Sequence, residues 1–489
     1  MKIKGHDIND LIGLSFDELL EKGLDDQGFT KFYSTVAAMN GYALTTKQVW
    51  KHCVFPILDP NSTTMRLIGT MVVLCLVQRV VINIGILPRR LCAVTSGLMG
   101  WYIVYAFINI NCIKMMCTMS VLCLSCLTLP IVNHERYRKR VGYLVGALSL
   151  LALVTSEVLL SRVDFTQARG PFMIVMMKAV SVAFDLQNQA FKDHATALDP
   201  FYVFGYLNDV STIMFGPWLM YTQYVGMLTP RSRREQRLSI TFGFAKIFLS
   251  ICCLVLSSCI FSHIILDHYD MYSPWLIGYR DAISFRFSHF FVCSLAEATV
   301  LLAGLQYGRD ATVTNIIPIE LPRSLVQISI NWNLPQHRFL KNYVFKQTRA
   351  VYGNFAAIFY TYAVSALLHG LNMQMAMVLL SLGVYTYAEH VFRNKLSHLF
   401  NACVGARPCV PQCGHRYRYG NALVMSVNFW LGCVALFHLT YLAMCFNDSP
   451  EAETGYSMAH TFEVWGTVGY KSHVVAIVTL IVAVCMPSW

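Results

Sequence analysis

The chain has 489 residues, of which 55% are hydrophobic and only 13% charged, and its mean hydropathy is +0.48. A soluble chain carries about a quarter of its residues as charged side chains, so a soluble globular protein is excluded and a multi-pass membrane protein is indicated. The net charge of +11 could suggest nucleic acid, but Lys and Arg stand in short bursts between apolar segments, where they fix topology; no nucleic-acid partner is expected, and membrane lipids are.

The opening residues, MKIKGHDINDLIGLSFDELLEKG, are polar and acidic and lack the apolar centre of a signal peptide, so residues 1–65 are read as a segment outside the membrane core and an internal span as the insertion signal. A window of spanning length then finds about eleven helices, near 66–87, 91–110, 113–131, 141–160, 171–187, 240–266, 284–306, 352–370, 375–392, 421–446 and 470–488. Basic loops set the sides: Pro88–Arg90, His134–Arg140, Arg231–Arg237 and the stretch from Phe392 to Gly420 read as cytosolic. Between Gln187 and Arg231 lies one more apolar stretch, FYVFGYLNDVSTIMFGPWLMYTQYV, and both of its ends must be cytosolic. It is therefore expected to dip in and return, a geometry tolerated at membrane depth only when buried in protein or lining water. The Gly216-Pro217 break and the polar Asn208 and Asp209 suit such a turn.

The same parity puts the residues before Met65 in the lumen, where Asn61 heads an NST glycan sequon, and the acidic NDSPEAETGYS after Phe446 there too. The segment from Gln306 to Tyr352 is cytosolic, and the helix from Tyr352 to Gly370 climbs to the lumenal side, so that His369 sits at its lumenal end. No repeat, low-complexity tract or separate soluble domain interrupts the chain. The reading is an all-α polytopic fold, one membrane domain over 1–489, with a core of roughly 171–446.

Seventeen cysteines would mark a disulfide scaffold in a small secreted domain. Here Cys75, Cys112, Cys117, Cys123, Cys126, Cys252, Cys253 and Cys259 lie in or beside apolar spans and read as small hydrophobes. Cys403, Cys409, Cys413 and His415, in CVGARPCVPQCGH, have zinc-ligand types at a loose spacing. They lack the compact pairing of well-formed sites, and a cytosolic loop favours thiols over disulfides. Free or lipidated thiols are expected, and no metal.

Ionisable side chains at membrane depth are costly and face protein or a wet cavity. Tyr362, Ser365 and His369 fall on one helix face by their spacing. Two readings of His369 stay open. It bonds a neighbouring helix, or it acts as a general base, since imidazole titrates near neutral pH. The polar run INWNLPQHRFLKNYVFK precedes that helix, with Asn331 and Asn333 flanking Trp332 and Pro335 ending whatever comes before. Such an Asn-rich loop by itself reads as capped, solvated backbone. Asp185 and Glu297 are further intramembrane acids, and Asp185 shares a helix with Lys178, which suggests a buried pair.

An Asn-bearing loop followed some three dozen residues later by an intramembrane His resembles the membrane-bound O-acyltransferases. The stretches MKAVSVAFDL, AEATVLLAGL, IELPRSLVQISINWNLP, NYVFK, YAVSALLHGL and LLSLGVYTYAEHVFRNKL resemble, within that family, the members that acylate Wnt proteins in the endoplasmic reticulum. The resemblance runs from about Pro171 onward. It implies that His369 is the catalytic histidine and Asn333 its paired asparagine. It further implies palmitoleoyl-CoA as a donor substrate rather than a bound cofactor, and a serine of a lumenal Wnt protein as acceptor. Trp332, Tyr343, Tyr362, Ser365 and Asp185 would then line the substrate chamber. Two rivals remain: a family member acting on a lipid or another secreted peptide, and a transporter using Asp185, Glu297 and His369 as an ion path, whose expected internal repeat is absent.

Overall fold

Each apolar run that the sequence marks as a span is helical, and several helices begin a turn or more before the apolar window opens. The computed structural model describes residues 2–3, 6–7, 22, 46–128, 135–188, 199–261, 273–410, 412–447 and 457–487. The early starts have local causes. Ser161 accepts from the Asp164 N–H at 3.1 Å and opens the helix Arg162–Gln187. Ser232 and Glu235 cap one another at the head of Arg233–Val255. Ser273 accepts from the Trp275 N–H ahead of Pro274–Ala303. Hydroxyl caps of this kind satisfy the first free amides, so a helix can start in polar sequence outside the bilayer.

About eleven spans are expected. Among the described residues, nine helices are long and apolar enough to cross a membrane, or ten if Met458–Thr467 and Lys471–Cys485, which meet at 80°, form one broken span. The helix Arg89–Phe107 is not among them. It starts with two arginines, and its small residues face protein. A side chain at Gly97 would strike Phe204 and one at Gly100 the Asn208 carbonyl, so these glycines admit the next element at close range. Apart from one pair of two-residue strands, Lys2–Ile3 with His6–Asp7, the regular elements of the described body are helices.

That next element is the stretch expected to turn back. Pro200–Asn208 and Tyr221–Met227 are helices of nine and seven residues, about 13 and 10 Å at 1.5 Å per residue, too short to cross. Irregular chain joins them, and its backbone is satisfied by buried side chains, as irregular chain at this depth must be. Asn208 donates to Ser120 Oγ and the Phe204 carbonyl, both at 3.0 Å, and accepts from Trp101 Nε1 at 2.9 Å. Asp209 accepts from Gln78 Nε2 at 3.1 Å and Ser96 Oγ at 2.6 Å, and from the Ser211 hydroxyl within its own turn. Gly216, at φ +83°, takes a left-handed conformation that other residues rarely adopt.

Lys178 is 1% exposed, and the pair it was expected to make with Asp185 does not form. Its Nζ donates to the Tyr206 carbonyl at 2.7 Å, the Leu207 carbonyl at 3.4 Å and Thr212 Oγ1 at 2.6 Å. The carbonyl end of the short helix Pro200–Asn208 carries partial negative charge, and the ammonium sits against it. Asp185 finds its partner elsewhere.

Cys259 also departs from its expected role as a small hydrophobe, because it forms a disulfide with Cys53, Cα to Cα 5.7 Å. The bridge ties the segment before Thr63–Ile84 to the end of the helical run Arg233–Phe261. Both lie on the side that the basic loops assign to the lumen, where disulfides persist. The acidic residues 448–456 lie outside the described residues.

Apolar side chains gather in two main clusters. One includes Phe172, Tyr206, Trp218, Phe339, Tyr343 and Leu368; the other includes Phe290, Leu325, Ile328, Tyr385 and Trp465. The segment 325–368 supplies both, so it is gripped from two sides. Exposed Val73, Val80, Leu151, Val158, Phe248, Phe429 and Val484 cover the outside with the apolar surface a bilayer requires.

Candidate active site

The sequence INWNLP turns a corner. Leu325–Trp332 is a helix opened by Ser324, whose Oγ accepts from the Gln327 N–H at 3.2 Å. Asn333 ends it in extended conformation (φ −147°, ψ 95°) and caps the next helix, Leu334–Leu340, with Pro335 in that helix's first turn, where a missing N–H costs nothing. Asn333 Oδ1 accepts from the Gln336 N–H at 3.0 Å. A backbone N–H can only donate, so this bond fixes the amide: the carbonyl oxygen is used by the cap, and the two Nδ2 hydrogens, which have no partner among the described residues, are available. Asn331 instead stitches a loop to this helix, accepting from Asn315 Nδ2 at 2.7 Å and donating to the Gln327 carbonyl at 2.8 Å.

From the corner the chain runs through Lys341–Phe345 into Lys346–Leu368. Gly353, at φ +80°, breaks this helix one residue past Tyr352, the position from which the sequence predicts it to start. On its far end Tyr362, Ser365 and His369 share a face. Tyr362 hydroxyl meets Ser329 Oγ at 3.0 Å, and Gln336 Nε2 donates to Ser365 Oγ at 3.5 Å. The cap of Asn333 and the helix carrying His369 are thereby joined.

His369 is the last residue before the chain turns. Its N–H donates to the Ala366 carbonyl and its own carbonyl accepts from Arg169 Nη1 at 3.3 Å. Gly370 follows at φ +85°, where a Cβ would meet Glu157 Oε2 at 3.0 Å and the Phe165 ring at 3.1 Å, and the Leu371 N–H donates to Glu157 Oε2 at 2.6 Å. The HG pair is thus a helix terminus: glycine takes the left-handed turn and Glu157 secures the exit. The imidazole itself is half-buried and has no hydrogen-bond partner among the described residues; its ionisable neighbours are Arg169 and His289. A ring placed only to join two helices would hold a partner.

The other expected residues divide. Trp332 stacks on His289 at 4.2 Å, and its carbonyl accepts from His289 Nε2 at 2.9 Å, so one face of its ring is taken. Tyr343 donates its hydroxyl to Asp185 Oδ1 at 2.7 Å beneath Trp218 and Phe339, a pair of its own. Glu297 binds Lys246 at 3.2 Å and the Val313 N–H at 3.3 Å. The acids of an ion path are each occupied locally. Sequence reasoning passed over His289, Arg169 and Glu157. Each is a lone polar residue near apolar sequence, and no spacing links any of them to His369.

A cavity of about 580 Å³ opens against the INWNLP corner, lined among others by Gln327, Asn331, His337, Lys341 and Arg407. Most of its lining is apolar, with Val326, Ile330, Ala406 and Pro408, and Lys341 and Arg407 place two positive charges in it that suit an anionic group.

Residues 148–434, more than half of the chain, match the membrane-bound O-acyltransferase family. The chain belongs to that family. It is an acyltransferase with a polytopic, helical membrane fold, and the matched range of the acyltransferase spans both the Asn333 corner and the His369 terminus. Among its relatives is protein-serine O-palmitoleoyltransferase porcupine of Mus musculus, 34% identical over 456 residues that cover 87% of this chain and 95% of the relative. The Homo sapiens protein of that name is 34% identical over 457 residues with the same coverage. The Anopheles gambiae one is 29% identical over 362 residues, 68% of this acyltransferase and 72% of the relative.

Proposed function

We propose that this membrane-bound O-acyltransferase is a Porcupine enzyme of the endoplasmic reticulum membrane, transferring a palmitoleoyl group from its CoA thioester to a serine hydroxyl of Wnt proteins. One observation carries the reading: relatives matched over 95% of their own length are named protein-serine O-palmitoleoyltransferase porcupine. Neither a lipid acceptor nor a transport path is favoured.

The site geometry supports a direct transfer. The unpartnered imidazole of His369 takes the proton from the serine hydroxyl as its oxygen attacks the thioester carbonyl. The free Nδ2 hydrogens of Asn333 donate to the oxyanion that develops there. When the tetrahedral centre collapses, the carbon–sulfur bond breaks, CoA leaves as the thiolate, and His369 returns the proton to it. No further reactant is needed. Lys341, Arg407 and His337 in the corner cavity suit the phosphates of CoA, while Tyr362 and Ser365 flank the path from that corner to His369. Tyr343 and Asp185 shape the wall beside Trp218 and the re-entrant turn.

Purified protein, given palmitoleoyl-CoA and a serine-bearing Wnt peptide, should yield a peptide ester seen as the acyl mass gain. The same peptide with Ser changed to Ala should yield none. Acylation of the Ala peptide would remove the O-acyl reading, and a preference for a lysophospholipid over the peptide would move the acceptor to lipid.

A further inference from the structure

Within the chain 400–421, between the helices Met373–Leu399 and Ala422–Ala443, three thiols and an imidazole converge. Cys403, Cys409, Cys413 and His415 offer one donor atom each, all within 4.8 Å of one another, the one such group of metal-ligand side chains among the described residues. The backbone does the gathering. Ala402 and Tyr417 form a bridge in which the Cys403 N–H donates to the Tyr417 carbonyl at 2.9 Å and the Tyr417 N–H to the Asn401 carbonyl at 3.1 Å, bringing both ends of the loop together. A turn closed by the Cys413 N–H on the Val410 carbonyl at 3.1 Å then folds Cys409 and Cys413 back onto them.

The hydrogen bonds settle the imidazole tautomer. His415 Nε2 lies 3.2 Å from Ser397 Oγ, and that hydroxyl gives its single hydrogen to the Ala402 carbonyl at 2.7 Å. Ser397 can therefore only accept, which places the ring proton on Nε2 and leaves a lone pair on Nδ1. Nδ1 points at the sulfurs, 3.6 Å from Cys403 Sγ and 3.6 Å from Cys409 Sγ, while Cys403 and Cys413 Sγ are 3.2 Å apart. In a tetrahedron with zinc–sulfur bonds of about 2.3 Å and a zinc–nitrogen bond of about 2.0 Å, neighbouring donors are about 3.5 to 3.8 Å apart. A disulfide needs about 2.05 Å between sulfurs, so the Cys403–Cys413 spacing is that of two ligands rather than of a bond. A serine fixing the far nitrogen of a ligand histidine is the outer support that metal sites require.

We propose that Cys403, Cys409, Cys413 and His415 bind one zinc ion as a structural Cys3His site. Zinc with three thiolates carries a charge of −1, and the loop holds Arg407, Arg416 and Arg418 with no acid between Asn401 and Gly420. The loop has little core of its own, with Ala402, Cys403, Val404 and Ala406 as the buried apolar residues among those described, so a metal supplies what packing does not. The loop also holds a wall of the cavity that opens against the INWNLP corner. Arg323 donates to the Cys403 carbonyl at 2.7 Å and to the Gly405 carbonyl at 3.2 Å, and Ser324 Oγ to the Ala406 carbonyl at 2.7 Å. Arg407, the next residue, lines the cavity at the Asn333 corner. The metal assignment stands on the loop alone and does not depend on the acyl-transfer reading.

The full-length protein, purified in detergent without chelator, should contain about one zinc per chain by elemental analysis, and Cys403→Ser and Cys413→Ser should lose it. Because those variants can fail to fold, the wild type is also alkylated with a maleimide before and after a strong chelator, and the modified cysteines are mapped by peptide mass spectrometry. Cys403, Cys409 and Cys413 should be protected until the chelator is added, while labelling of every other cysteine is the same with and without it. Protein that contains no zinc and takes up none when zinc is supplied overturns the site. So does equal labelling of the three cysteines with and without chelator, or their recovery as acylated or disulfide-linked peptides.

Discussion

Asn333 accepts the Gln336 N–H on its carbonyl oxygen at 3.0 Å and keeps its amide hydrogens free. One side chain therefore has two separable jobs, a helix cap and a hydrogen-bond donor into the site. Asn333→Asp keeps the acceptor and removes the donor. It should melt within a degree or two of wild type, since Asp caps as well as Asn, while turnover falls on the order of a hundredfold or more, as when an oxyanion donor is lost. Asn333→Ala should lose the same activity and also about 1 kcal/mol of cap stability. Turnover and melting temperature on both variants check this; an active Asn333→Asp would leave Asn333 only its cap.

His369→Ala should cost on the order of a hundredfold or more in turnover, the usual worth of a positioned acid–base group, with little change in melting temperature, because its ring bonds nothing among the described residues. The neutral imidazole is the base, so wild-type activity should fall as pH drops and the ring takes up a proton. A stable and active His369→Ala protein would remove the base from the mechanism.

Which parts of this were legible in sequence follows from the range of the forces involved. Span-length apolar runs and basic loops announce themselves locally; charge parity asks for the turning-back of 201–225, and two helices too short to cross suit it. The stripe of Tyr362, Ser365 and His369 needed only helical spacing. What stayed hidden depends on partners far along the chain. Lys178 was read against Asp185, a neighbour in sequence, yet it serves carbonyls near residue 207, and Asp185 serves Tyr343. Cys259 looked like one more small hydrophobe until Cys53 came beside it, 206 residues away in sequence. His289 and Glu157 carry no spacing signal at all, and the convergence of Cys403, Cys409, Cys413 and His415 needs a backbone bridge that their loose spacing does not announce.

The Cys53–Cys259 bridge gives a test of sidedness as well as stability. It closes a loop of 206 residues, and losing such a cross-link costs roughly 2–5 kcal/mol. Cys53→Ser and Cys259→Ser should each lower the melting temperature by several degrees and should not add to one another. In sealed microsomes, a membrane-impermeant reductant added outside should leave the bridge intact and reach it only after permeabilisation. Reduction in intact vesicles would put this end of the molecule on the cytosolic side and reverse the topology.

Lys178 tests the re-entrant turn. Its ammonium satisfies two carbonyls and a hydroxyl in a site 1% exposed, and each buried polar group left unpaired costs about 1–3 kcal/mol. Lys178→Met keeps the length and apolar stem and removes the donors, so it should lower stability by on the order of 3 kcal/mol. Activity should fall with the folded fraction, because Lys178 touches neither His369 nor Asn333. The loss should appear where the turn is held. Hydrogen exchange should rise at Tyr206 to Thr212 while the helix bearing His369 keeps its protection. Short epitope tags placed after Asn188 and before Arg233 should both be reached from the cytosolic side in wild type and in the variant, since the lysine secures the turn and the flanking arginines set its side. Tags reached from opposite sides would make 201–225 a crossing segment. The buried ammonium would then hold a break within a span, and every helix after it would change orientation, His369 with them.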